Sequence, residues 1–193
     1  MNYIGMIDDD IHRDQRRISL FQSHNFACVC PACDLPEEQI QVQDRLSDKF
    51  ERLLKMKKDV KAKNASMNNS DTSEELKCLK NLYKTAKDLR FFRRVEILNK
   101  IVEQGFDAAC QGYLTWVERG KLTLKNRIPR EMLDGKKSMF LREVGTFAKV
   151  GLEIATTVYG PEHSKCIEWR KRIEDPVQYF KDTTNQGDPH WNQ

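Results

Sequence analysis

The sequence predicts a mainly α protein, a small cysteine module followed by an array of antiparallel helices, and three observations carry that expectation. From Pro36 onward apolar residues recur at three- and four-residue steps through one segment after another, the period of a helix with a single buried face. No stretch after Cys33 sustains the alternation of a half-buried strand, and no Asn-Gly or Asp-Gly pair joins two β-rich runs. Ahead of Pro36, three cysteines crowd into the six residues "CVCPAC", a density that helix packing does not call for.

Taken in order, residues 1–24 hold a short apolar "YIGMI", an acidic patch from Asp8 to Asp10 and the arginine-rich "RDQRRISLF". So few apolar residues cannot offset the entropy of ordering the segment, which therefore needs another surface to pack on. Pro36, Glu37 and Glu38 suit the first turn of a long helix, because proline loses no needed hydrogen bond there and acidic groups favour the dipole. Its apolar face is Val42, Leu46, Phe50, Leu53, Leu54 and Met56. "KNASMNNSDTS" has no apolar period and reads as a loop. Thr72 and Glu75 stand at capping-box spacing before a second helix with Leu76, Leu79, Leu82, Tyr83, Ala86 and Leu89.

A third helix is expected from about Phe92 through Val95, Leu98, Ile101 and Val102, with Gly105 as its stop. "FDAACQGYLTWVERG" is a further helix by period, and Asp134-Gly135 falls between helical stretches. "SMFLREVGTFAKVGLEIATTVYG" follows and ends at Tyr159-Gly160-Pro161, a glycine stop with proline just beyond. A short last helix, "PEHSKCIEWRKRI", is expected to end before Asp175-Pro176, and the final residues to fray. The Tyr-Gly-Pro turn between apolar helices resembles the last helix pair of a tetratricopeptide-type array.

The 193 residues include 33 basic and 29 acidic side chains intermixed along the chain, a balance that serves solubility and gives no nucleic-acid footprint. "KMKKDVKAK" and "RKR" read as solvated helix faces, and nucleic acid is not expected as a partner. No run of eighteen apolar residues exists and the N-terminus shows no apolar signal core, so no membrane association is expected. The cysteines are then expected in an intracellular, reducing compartment, nucleus or cytoplasm, where clustered thiols hold metal more often than they form disulfides. Cys78, Cys110 and Cys166 stand singly in helical sequence and read as buried small hydrophobes.

Cys28, Cys30 and Cys33 can bring three sulfurs onto one zinc ion at about 2.3 Å, and a tetrahedral site then asks for one more donor. His24, four residues before the first cysteine, is not at a usual ligand step, and His12 and His163 are distant. The residues leave the source of the fourth ligand open. Cys30-Pro-Ala-Cys33 alone would suit a thiol oxidoreductase, yet the strand and βαβ context of such motifs is missing, which favours metal.

"NYIGMI", "RRISLF" and "FACVCPAC", in that order over roughly the first 35 residues, resemble the end of a SET domain and its post-SET segment in the SET and MYND domain family and related fungal SET proteins. The resemblance implies an S-adenosylmethionine-dependent protein-lysine methyltransferase. It implies that Cys28, Cys30 and Cys33 bind zinc with a fourth cysteine from the SET core. It also implies that Tyr3 lines the lysine channel as the catalytic-site residue, and that Phe26 stacks on the adenine of S-adenosylmethionine. The chain holds no Gly-x-Gly cofactor loop, no Asn-His-Ser-Cys motif and no MYND-type cysteine array, so on its own it is expected to be inactive.

The expected organisation is a SET-domain remnant over 1–24, the post-SET cysteine segment over 25–36, a tetratricopeptide-like helical lobe over 37–184 and a disordered tail over 185–193. Partners implied are a protein substrate or histone tail for the parent family, with protein contacts through the helical lobe. The alternative is a noncatalytic helical interaction module with a partial zinc site.

Overall fold

The computed structural model describes residues 13–29, 34–66, 72–89, 94–121 and 129–185. They form seven helices: α1 (Arg13–His24), α2 (Glu37–Ser66), α3 (Ser73–Asp88), α4 (Arg94–Lys121), α5 (Arg130–Tyr159), α6 (Ser164–Glu174) and α7 (Pro176–Asn185). There is no strand among the described residues, and the mainly α expectation holds. From α2 to α7 each helix packs on the next in sequence, and α7 returns to touch α4. No helix among the described residues is long and apolar enough to cross a membrane.

The amphipathic patterns place the core largely as the sequence predicts. In α2, Ile40, Phe50 and Leu53 are buried, while Val42 and Met56 fall outside the stripe and stay about half exposed. In α3, Leu76, Leu79, Leu82 and Ala86 are buried, and so is Leu89 just past its end. Pro36 starts α2 as expected, its carbonyl accepting from Gln39 and Ile40 nitrogens at 2.9 and 3.0 Å. Gly160 ends α5 at φ 86°, its N–H donating to the Thr156 carbonyl at 3.0 Å. Cys78, Cys110 and Cys166 are buried, each 6% exposed or less.

The longest departure from the sequence reading lies in α4. Gly105 is not a stop, and the two expected helices are one continuous helix from Arg94 to Lys121. Its glycines are there for close approach. A methyl group on Gly105 would clash with the Phe147 ring, and one on Gly112 with the Phe140 ring and the Thr72 hydroxyl. Farther along, Gly120 would bring a methyl 3.0 Å from Leu133 Cδ2. Ascending positions on α4 thus meet descending positions on α5, so the two helices run antiparallel with rings seated on bare backbone. Trp169 of α6 sits in the same manner over Gly151 of α5.

Three further expectations are corrected. Thr72 does not cap α3 with its side chain; its hydroxyl donates to the Ala108 carbonyl of α4 at 2.6 Å, a buried tie between helices. Asp134-Gly135 lies inside α5, not between helices. The helix expected to end before Asp175-Pro176 does end there, at Glu174, but it is not the last, because the same two residues begin α7. Asp175 Oδ1 accepts from the Gln178 N–H at 3.1 Å, and proline takes the first helical position, where its missing N–H costs nothing.

Gly105→Ala or Gly112→Ala should each lower unfolding free energy by about 1–3 kcal/mol, because overpacking against a ring outweighs the helix-propensity gain of about 1 kcal/mol. Gly145, in the same helix as those rings, has open space around it, so Gly145→Ala should stabilise by up to about 1 kcal/mol. Urea unfolding of the three variants checks both signs.

Candidate functional site

The cysteine segment leaves α1 through a left-handed residue. Asn25, at φ 48°, donates its N–H to the Phe21 carbonyl at 2.9 Å, the single-bond αL ending that asparagine tolerates better than most residues. Phe26–Val29 then continue without regular structure, with Ala27 lying beside Arg17, Ile18, Phe21 and Gln22 of α1 around a hollow of about 280 Å³. Phe26 is 47% exposed, which leaves its ring available as a platform, and Cys28 is half-buried. Tyr3, Cys30 and Cys33 lie outside the described residues. Three thiols within six residues match the soft-donor preference of zinc, and Cys28, Cys30 and Cys33 would hold it.

Sequence reasoning missed a second cluster, built where α4, α6 and α7 meet. Arg172 on α6 lies with its guanidinium carbon 4.1 Å from the Trp169 ring centre, 4.9 Å from Tyr179 and 5.3 Å from Phe106. The rings support one another, Phe106 standing edge-on to Trp169 at 5.9 Å and to Tyr179 at 6.4 Å. Arg172 Nη2 donates to Glu168 Oε1 at 2.5 Å and to the Tyr179 hydroxyl at 3.4 Å, and that hydroxyl donates to the same Glu168 oxygen at 2.6 Å. Nε and Nη1 of Arg172 are buried and find no acceptor among the described residues. One cation therefore joins α6 to α7 and to the aromatic face of α4.

Beside it opens a cavity of about 290 Å³, bordered by Glu103 and Asp107 of α4, Glu168 and Arg172 of α6, and Tyr179 and Phe180 of α7. Burial pushes the Asp107 carboxyl up to about 6; the Arg172 charge opposes this and the Glu103 charge adds to it. Burial also raises the Cys110 thiol to about 12, helped by Asp107, so this sulfur stays protonated and inert. It faces the Pro176 carbonyl at 3.7 Å, against the start of α7. The sequence does carry a signal for the cluster: Asp107 interrupts the apolar run "GFDAAC", and Glu168 and Arg172 stand at i,i+4 around Trp169.

Compared with known protein families, with curated proteins and with solved structures, the chain finds no match.

A carboxyl whose folded value lies above its unfolded one costs stability once it ionises in the native state. That cost is absent below about pH 4, grows between pH 4 and 6 and is complete above it, reaching about 1–3 kcal/mol. Asp107→Asn should therefore melt higher than the parent at pH 7.5, with the advantage shrinking to nothing near pH 4. Thermal unfolding of both proteins across that range is the measurement.

Proposed function

We propose that this chain carries the post-SET cysteine segment and the C-terminal helical lobe of a SET-domain protein-lysine methyltransferase. The observation that supports the reading is the order of its parts. A short arginine-bearing helix ends immediately ahead of Phe26, the sequence Phe-x-Cys-x-Cys-x-x-Cys follows, and a helical body begins at Glu37.

In this reading Cys28, Cys30 and Cys33 are three of four zinc ligands, the fourth coming from a SET core. Phe26 presents its exposed ring to the adenine of S-adenosylmethionine, and Tyr3 lines the lysine channel. Bound S-adenosylmethionine supplies the methyl group as an activated sulfonium. The chain's residues position reactants for an in-line displacement, which is how most of such a barrier is lowered. The helical lobe is tetratricopeptide-like and covers one side of the cleft that admits a protein substrate or histone tail, in the nucleus or cytoplasm.

The sequential packing of α2 to α7 also favours a second reading, a noncatalytic protein-interaction module, since helical arrays offer extended surfaces to peptides and sister domains.

Zinc content of the reduced chain separates the two. With only three thiolates, the chain alone should lose zinc to a competing chelator, and co-expression with a SET core should restore about one zinc per chain in a Cys30-dependent manner. One tightly held zinc per chain without a core, lost in Cys30→Ser, contradicts the methyltransferase reading and favours the module.

A further inference from the structure

The second half of α2 departs from the pattern of the first. Phe50, Leu53 and Leu54 set the stripe that packs on the core, and three- and four-residue steps carry the same stripe onward to Lys57 and Lys61. Gln43 donates to the Asp88 carbonyl at 3.4 Å near one end of α2, and the Glu75 charge acts on Lys57 farther along, so α2 and α3 run antiparallel. Because α3 begins at Ser73, the last turns of α2, up to Ser66, reach past its start. There the face that α3 covers elsewhere carries lysine instead of leucine.

A second helix adds to this charge. Lys57 Nζ reaches across to Oε1 of Gln104 on α4, and Lys100 stands one turn before Gln104 on the same side of that helix. Lys57 is half-buried, while Lys58, Lys61 and Lys100 are exposed and make no ion pair with any described residue. Burial holds the Lys57 ammonium below the usual lysine range, the charges of Lys61, Lys100 and Lys58 press the same way, and Glu75 opposes them. Like charges gathered in this way repel one another in the folded chain, and a bound anionic partner removes that repulsion.

The surroundings narrow the partner. Leu54, three residues before Lys57, and Ile97, three before Lys100, are only partly buried and give the face an apolar floor. Single-stranded nucleic acid asks for aromatic platforms, and no aromatic residue occurs from Glu51 to Ser66 of α2 or from Arg94 to Gly105 of α4. A duplex backbone asks for a longer basic track than a few turns of helix supply. Carboxylates interspersed with apolar side chains match both the lysines and the floor.

We propose that Lys57, Lys58 and Lys61 of α2 and Lys100 of α4 form a docking surface for an acidic peptide segment of a partner protein, its carboxylates paired with the lysines and its apolar side chains set against Leu54 and Ile97. The surface includes no residue of the cysteine turn, so its fate and that of the methyltransferase reading are separate.

The test titrates the full chain into a short fluorescein-labelled peptide of Glu-Glu-Leu repeats and follows anisotropy, with the backbone amide signals of Lys57, Lys61 and Gln104 locating the site. The controls are the same peptide with glutamine in place of glutamate and a labelled oligothymidylate. Saturable one-site binding of the acidic peptide is expected, weakening as salt rises. Lys61→Glu combined with Lys100→Glu should lower the affinity by at least about tenfold. Lys149→Glu combined with Lys171→Glu makes the same change of net charge at exposed positions on α5 and α6 and should leave the affinity within about twofold. No saturation, equal binding of the glutamine peptide, unchanged affinity in the first double variant, or equal loss in both overturns the proposal. Tighter binding of the oligothymidylate also overturns it and makes the face a nucleic-acid surface. Should the first double variant fail to fold, Lys58→Gln combined with Lys61→Gln decides by the same criteria.

Discussion

The seating of Leu133, Phe140 and Phe147 against Gly120, Gly112 and Gly105 is the contact from which the rest of the body follows. Those glycines span about 22 Å of α4 at 1.5 Å per residue, so the notches run along most of one helix face. Bare backbone lets each ring rest against the helix, and α4 and α5 come closer than side chains on both would allow. The core of α3 and α6 is then arranged on either side of this pair, with Thr72 tied to Ala108 and Trp169 seated over Gly151.

The charge cluster depends on the same seam. Phe106 follows Gly105 directly, so the turn of α4 that receives Phe147 on one side presents Phe106 to Trp169 and Tyr179 on the other. Asp107 comes one residue later and reaches the cavity. Arg172 is thereby held by three aromatic faces as well as by its bond to Glu168. A guanidinium suits such a place because it is planar and weakly hydrated, which a lysine ammonium is not.

Much of the fold was legible because burial imposes a period. Leu76, Leu79, Leu82 and Ala86 announce α3, and Gly160-Pro161 announces the end of α5. What was misread has a common cause: residues with two uses. Gly105 is a stop in a local reading and a notch in a packed one, and only Phe147, forty-two residues away, decides between them. Asp175-Pro176 terminates one helix and starts another with the same two residues. Thr72 has a capping spacing, but the Ala108 carbonyl takes its hydroxyl. The candidate site divides in the same way. The cysteine cluster is visible in sequence because its thiols are adjacent, whereas Asp107 and Arg172 are brought together by three helices and carry only a faint local signal.

Evenly spaced notches have a further effect. The glycines of α4 lie seven and eight residues apart, and the groups they receive on α5 lie seven apart, so the seam is nearly periodic. Sliding α5 by two helical turns would drop Phe147 onto Gly112 and bring Phe140 beside Gly120. Two of three notches would still be occupied, and the seam alone scarcely distinguishes this misaligned partner from the native one. What removes the ambiguity lies off the seam: Lys80 meets Glu143 at 2.9 Å, and Trp169 finds Gly151. α3 and α6 thus act as an index for the central pair, choosing one alignment out of several that hydrophobic packing would accept.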